Sequence, residues 1–383
     1  MYCRGHYVRY SPVDKMENKR GIDETEGKET PSDVKKQKTI STNIEGVLLG
    51  YGNPLLDISV NATEEFLKKY DLEANNAILA DDKHKPIYDD MLATFKDQVD
   101  FVPGGATLNA LRVAQWLLGT PNSVTFFGCV SKDKYGDILQ QKAQEAGVNV
   151  RFQYTDKEPT GTCAVVCTGK DRSLVANLAA ANCFTEEHLD KVENMAFVEK
   201  AKFFYCAGFP LTACPKAMMQ IARHSLEKQK TFCMNLSAPF LCQFFKEPMM
   251  QLMPYVDYVF GNENEVEEFA KANDFDTLDH KEIALKIASL PKESSRPRTV
   301  IITEGELPAI VAQNGKISEF KATIVPADKI VDTNGAGDAF VGGFLSQLVQ
   351  GKSVEDCMRC AHWAGQFIIQ QSGCTFPKTP SYK

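Results

Sequence analysis

Several features that would settle a protein's class at once are missing from this chain. No stretch of its 383 residues is long and apolar enough to read as a membrane span, and none reads as a secretory leader. The expected home is therefore the reducing cytosol, with no membrane partner. Positive charge is not in excess: 43 Lys and Arg against 50 Asp and Glu leave a formal net charge of −7. That excludes nucleic acid as the main partner, because nothing supplies the counterion release on which such binding depends. A second paired cysteine motif beside the lone CxxC of Cys357 and Cys360 is absent despite 12 cysteines. Cys357 and Cys360 lie inside a helical pattern with no second pair nearby, so neither a zinc site nor a disulfide framework is expected. The scattered cysteines read as small buried hydrophobes. No internal repeat is apparent, so a repeat architecture is not expected.

What is present is an ordinary globular composition, 43% hydrophobic and 24% charged. At this length, one large α/β domain with an elaboration, or two domains, is expected. Residues 1–43 are polar and charge-rich and are expected to form a disordered extension. Lys35, Lys36 and Lys38 make a basic cluster there, which reads as a solvated tail, with nuclear import as the alternative. From Gly46 onward, strand-like runs at 47–49, 124–130, 203–206, 231–236, 258–260 and 299–303 alternate with helical patterns. These patterns fall near 106–118, 136–146, 215–228, 263–273, 281–290 and 353–371. The alternation predicts a mostly parallel sheet with helices on both faces and a ligand beyond the carboxyl ends of its strands. Residues 57–70, 95–103 and 150–178 break the alternation. They are expected to form a small antiparallel sheet, a lid that would keep water from a reactive phosphate.

The most informative stretch is Asp332-Thr333-Asn334-Gly335-Ala336-Gly337-Asp338. Asn334-Gly335 is a turn signal, and a helical pattern of Ala339, Phe340, Phe344, Leu345 and Leu348 follows. A glycine loop opening into a helix presents the amides of Asn334, Gly335, Ala336 and Gly337 at the positive end of the helix dipole, where anions bind. Asp338 sits at the mouth of that hole. A carboxylate there caps the helix or, beside a bound phosphate, takes a proton from an attacking hydroxyl.

Other candidates are weaker taken singly. Gly104-Gly105 opens a second helix and places Asn109 one turn along it. Asn53 and Asp57 follow the first strand, where paired amide and carboxylate groups suit neighbouring sugar hydroxyls or simply cap a turn. Asn262 and Glu265 have the spacing to organise waters around a hard cation, and equally to cap a helix. Arg172 lies in the expected lid and reads as a phosphate contact or as a solvated surface charge. Gly351-Lys352-Ser353 and Gly50-Tyr51-Gly52 look like nucleotide motifs but lack a required glycine.

With these residues in order, the chain resembles the ribokinase-like (PfkB) carbohydrate kinases from about residue 47 to 378. The carboxy-terminal signature of that family is met by Asp332 to Asp338 and the amino-terminal one by the Gly104-Gly105 region. Within the family, the branch that phosphorylates adenosine is resembled in Gly52-Asn53-Pro54-Leu55-Leu56-Asp57-Ile58 and Pro159-Thr160-Gly161-Thr162-Cys163. Asn177-Leu178-Ala179-Ala180-Ala181-Asn182, Asn235-Leu236-Ser237-Ala238-Pro239-Phe240 and Gly373-Cys374-Thr375-Phe376-Pro377 add to the match.

The resemblance implies a kinase domain over residues 44–383, with a lid from segments near 57–80, 90–103 and 150–178. It implies transfer of the γ-phosphate of ATP to the 5′-hydroxyl of adenosine, giving AMP and ADP. Asp338 would be the general base and Asn334, Gly335, Ala336 and Gly337 the anion hole. Asn53, Asp57, Gly104, Gly105 and Asn109 would hold the ribose. Leu79, Cys163, Leu174, Ala176, Phe209 and Phe240 would enclose the adenine. Arg172, Asn262, Thr303, Gly305 and His362 would meet ATP and its phosphates, and Asn262 with Glu265 would hold Mg2+ through water. A monovalent cation and a monomeric state are further expectations. The chain departs from the family at Ala106, where a serine is usual, at Ala77, where a polar residue is common, and at Pro210, where a second aromatic is expected. A kinase of another nucleoside or sugar, or a silent nucleoside-binding regulator, are the alternatives. Leu79, Leu174, Phe209 and Phe240 favour a flat base, and Asp338 with its glycines favours catalysis.

Overall fold

The structure is a computed structural model that describes residues 44–382 except Asn75 and Lys170. The expected extension 1–43, with its lysine cluster, lies outside the described residues, as does the side chain of Ala77. Among the described residues the chain forms β1 Leu48–Tyr51, β2 Leu55–Asn61, β3 Ala77–Leu79, β4 Asp100–Gly104, β5 Val124–Ser131, β6 Asn149–Thr155 and β7 Thr162–Thr168. It continues with β8 Asp171–Asn177, β9 Phe203–Cys206, β10 Thr231–Asn235, β11 Tyr258–Asn262, β12 Thr299–Glu304, β13 Leu307–Gln313 and β14 Lys316–Phe320.

Nine strands build one large sheet in the order β14-β13-β12-β11-β10-β9-β1-β5-β6. It is parallel from β12 to β6, and β13 and β14 add an antiparallel edge. The central strands are apolar nearly throughout because both faces are covered. Alternate residues serve separate cores: Leu49, Phe127, Phe204 and Phe232 on one face, Leu48, Phe126, Tyr205 and Cys233 on the other. β1 has β5 on one side and β9 on the other, so successive crossovers leave it in opposite directions. A crevice opens at the carboxyl ends of strands at such a switch point.

The helix Ala336–Leu348 is buried on almost every side instead of amphipathic. Gly342 and Gly343 make this feasible. A Cβ at Gly342 would collide with the Ala110 carbonyl of the helix Ala106–Leu118. One at Gly343 would lie 2.7 Å from the Cys360 carbonyl of the helix Val354–Ile368. The three helices therefore approach closely, and the first turn of the middle one is held rigidly beneath the strand ends.

The small sheet runs β3-β8-β7-β2-β4 and differs from the expected lid in three ways. It is mixed, with β2–β7 and β3–β8 parallel and β2–β4 and β7–β8 antiparallel. Residues 57–70 are not all extended: after β2 the helix Glu64–Lys69 begins with two acidic residues and ends with two basic ones, matching the helix dipole. A second helix, Ile87–Phe95, precedes β4. Finally, β6 belongs to the large sheet, pairing with β5 from Asn149 to Thr155. Its alternation, with Val150 and Phe152 buried, is that of an edge strand facing the main core.

Candidate functional site

A cavity of about 710 Å³ lies between the small sheet and the carboxyl ends of the central strands. A second cavity of about 650 Å³, against the helices Val192–Lys200 and Pro215–Glu227, holds none of the candidate residues.

The helix Ala336–Leu348 delivers part of the lining of the first cavity. Gly335 precedes it with φ +78°, a conformation that favours glycine. Asp338 occupies the third helical position, where a carboxylate can cap the helix. Its Oδ2 accepts from Asn109 Nδ2 at 3.1 Å. The glycine loop is pinned by Asp332, whose buried carboxylate accepts from the N–H of Asn334 and from that of Gly373, each at 2.9 Å. Arg172, reaching over from β8, completes the group with an ion pair to Asp332 at 2.7 Å. The solvated reading of Arg172 is thereby overturned, since its side chain is only 7% exposed. Of the four expected anion-hole amides, Asn334 is engaged with Asp332 and Ala336 with the Thr333 carbonyl at 3.3 Å.

Another part of the lining is built around Asp57, in register with Val102 of β4 and Cys163 of β7. The glycine pair has a steric origin here. A Cβ at Gly104 would collide with the Asp57 carboxylate, and one at Gly105, where φ is +94°, with the carbonyl of Asn53. Asn53 donates to the Phe209 carbonyl at 3.5 Å, while its Oδ1 is buried with no hydrogen-bond partner among the described residues. Buried acceptors are rarely left so, and this one faces a ligand-sized space.

The rest of the wall is largely apolar. Leu79, Cys163, Leu174 and Ala176 come from the small sheet, with Cys163 and Ala176 as register partners. Phe209 and Phe240 face them with ring centroids 6.3 Å apart. Ala106 and Pro210, two of the departures from the family pattern, also line the cavity.

Burial dominates the electrostatics. It pushes the pKa of Asp338 up to about 7, helped by the charges of Asp57 and Glu265 and opposed by the Asn109 hydrogen bond. Asp57 is likewise pushed up to about 7 by burial, against the pull of Arg172 and Arg112. A carboxyl whose folded pKa exceeds its unfolded value is favoured in its protonated form by the fold, so stability falls as pH rises from about 4 towards 7. Asp338→Asn is therefore expected to stabilise the protein by up to about 4 kcal/mol at about pH 8, with the gain vanishing near pH 4. Thermal melts across that range check this; a gain that does not depend on pH would contradict the charge argument.

The structure does not bring Asn262, Glu265, Thr303, Gly305 or His362 into this cavity. Asn262 and Thr303 are register partners at the carboxyl ends of β11 and β12, and Gly305 turns β12 into β13. Asn262 and Glu265 form a reciprocal capping box. His362 lies on the helix Val354–Ile368, edge-on to Phe340, with burial pulling its pKa down. Two residues that sequence reasoning passed over are central. Asp332 carried a local signal, an aspartate two residues before an N–H it can accept from. Arg112 carried none beyond being a charged residue among the apolar positions of a helix.

Comparison with known proteins gives a consistent set of relatives. The profile of the pfkB family carbohydrate kinases matches residues 65–381. Adenosine kinase 2 of Arabidopsis thaliana is 50% identical over 343 residues, covering 89% of this chain and 99% of the relative. The adenosine kinase of Schizosaccharomyces pombe is 43% identical, covering 86% and 96%. Among solved structures, Anopheles gambiae adenosine kinase with P1,P4-di(adenosine-5) tetraphosphate superimposes with a TM-score of 0.82 at 48% identity, covering 88% and 99%. Schistosoma mansoni adenosine kinase with adenosine and AMP gives 0.80 at 35%, covering 88% and 99%.

Proposed function

Because the chain belongs to the pfkB family of carbohydrate kinases, we propose a division of labour among its residues for the reaction it carries out. That reaction is the ATP-dependent phosphorylation of adenosine to AMP. The observation that carries the proposal is that two buried carboxylates, Asp338 and Asp57, line a single cavity whose remaining wall is largely apolar.

Asp57 takes the ribose hydroxyls, Asn53 turns its unsatisfied oxygen to them, and Gly104 and Gly105 let the sugar approach the backbone. The adenine lies between Phe209, Phe240 and the small-sheet residues Leu79, Cys163, Leu174 and Ala176. This geometry leaves the 5′-hydroxyl for Asp338, which accepts its proton as the oxygen attacks the γ-phosphorus of ATP. Charge building on the phosphoryl oxygens is met by the amides of Gly335 and Gly337 and by the helix dipole, while the engaged amides of Asn334 and Ala336 shape the loop. Little covalent work is left to the protein; placement and charge stabilisation supply the rate. Arg172 keeps the glycine loop in place through Asp332 and reaches the phosphates from the small sheet. Thr303, Gly305 and His362 hold the nucleotide further along the strand ends.

The donor set at Asn262 and Glu265 fits Mg2+ only through water. Each side chain is already tied to the other in the capping box, and among the described residues no cluster of three or more His, Cys, Asp or Glu could hold a metal. When bound, the ion neutralises charge on the transferring phosphates. A monovalent cation acting on the glycine loop belongs to the same proposal. A monomeric state belongs to the same proposal, since the small sheet and the strand ends of the same chain enclose the cavity, and among the described residues no helix is long and apolar enough to cross a membrane.

A coupled assay of ADP release with adenosine, inosine, guanosine and ribose tests the substrate assignment: adenosine should be turned over with the highest kcat/KM, and a preference for ribose would refute it. The pH profile tests the base. An essential base must be ionised, so kcat/KM is expected to rise with pH through about 7 and then level off. A flat profile between about pH 5 and 8 would remove Asp338 from that role.

A further inference from the structure

Arg112 takes no part in the steps above, yet it is a cation buried one turn beyond Asn109 on the helix Ala106–Leu118. Its Nη1 donates to the Pro103 carbonyl at 2.9 Å, to the Cys374 carbonyl at 3.1 Å and to Asn109 Oδ1 at 3.5 Å. Its guanidinium lies 5.2 Å from the ring centre of Phe376, which stacks on Trp116. Pro103 leads into the glycine pair proposed to hold the ribose. Cys374 adjoins Gly373, whose N–H holds Asp332 beside the proposed anion hole.

A guanidinium has donors and no acceptor, whereas a primary amide has one face of each kind. Arg112 therefore settles which way the Asn109 amide points. With the oxygen turned to Arg112, the nitrogen faces Asp338, as the 3.1 Å contact requires. The opposite flip would set an oxygen against the Asp338 carboxylate and an NH2 against the guanidinium, unfavourable at both ends. No other orientation satisfies all three groups.

We infer that Arg112 is a positioning residue for phosphoryl transfer: it orients the Asn109 amide towards Asp338 and ties the glycine-pair turn to the carboxy-terminal loop behind the anion hole. It acts through Asn109 and the two loops and touches neither substrate. The inference rests on Asp338 being the base, an assignment that an Asp338 variant tests on its own.

The experiment is a double-mutant cycle in the full chain, with kcat and the adenosine Kd measured separately. Arg112→Met is expected to lower kcat by ~30-fold with Kd changed less than ~3-fold, and Arg112→Lys to recover kcat to within ~3-fold of the native value. In an Asn109→Ala background, both substitutions should lose most of their effect on kcat, the remainder coming from the tie between the two loops. Trp116 and Trp363, the two tryptophans of the chain, lie 5.6 Å apart beside Phe376, so their fluorescence reports whether each variant is folded. Should the methionine variant not fold, Arg112→Gln, which lacks the charge and the guanidinium fork, carries the same cycle with the same expected loss. A native kcat in the methionine variant, or equal losses in the native and Asn109→Ala backgrounds, would overturn the inference.

Discussion

Asp338→Ala is expected to lower kcat by ~10²–10⁴, the span associated with removing a general base, while the adenosine Kd changes by less than about twofold. The separation of the two effects follows from where the carboxylate sits. Among the described residues its side-chain hydrogen-bond partner is the neutral Asn109, so its removal strands no buried cation there. The ribose and adenine contacts proposed for Asp57, Asn53, Phe209 and Phe240 come from other elements. Because the folded protein favours the protonated carboxyl, the variant should also be at least as stable as the native chain at neutral pH. Rapid-quench turnover with equilibrium binding on the same preparation checks both parts. Near-native turnover would mean that another group takes the proton.

Asp57→Ala is expected to weaken adenosine binding by ~10²–10³ and to change kcat less. Hydrogen bonds to an ionised carboxylate contribute about 1.5–3 kcal/mol each, and two to adjacent hydroxyls bring the total into that range. The glycine at 104 gives the effect its size. It lets the carboxylate sit where a β-carbon would otherwise be, so the alanine variant leaves a gap that no neighbouring side chain fills. Ionisation of Asp57 is needed for the strong form of this contact, so native binding should tighten as pH rises through about 7. Calorimetric titration with adenosine measures the change; an unchanged Kd would take Asp57 out of the site.

Much of the architecture is legible in one dimension, and the exceptions have identifiable causes. Strands such as β5 and β9 announce themselves because both faces are buried, which leaves long apolar runs. The helix Glu64–Lys69 does not, since six residues are too few for a clear period. Pairing partners are not encoded locally either, which is why β6 reads as part of the lid although it extends the large sheet. At the site, the glycine pairs and Asp338 stand out because glycine-rich turns before helices are unusual and chemically specific. The burial of Arg172 and the reach of Arg112 to Cys374 are invisible, because their partners are remote in sequence, 262 residues away in the second case.

Read in one dimension, the chain already specifies a parallel α/β sheet, an anion-binding helix start with a carboxylate in its first turn, and the residue types that suit a ribose and a flat base. Those follow from local physics: hydrophobic period, backbone amides at a helix end, and the conformations open to glycine. Tertiary packing decides the rest. It raises the pKa of Asp338 and Asp57 by removing water, converts a surface-type arginine into the brace for Asp332, and brings the two carboxylates into one cavity. Desolvation, buried pairing and the distance between remote side chains exist only once segments far apart in the chain are in contact.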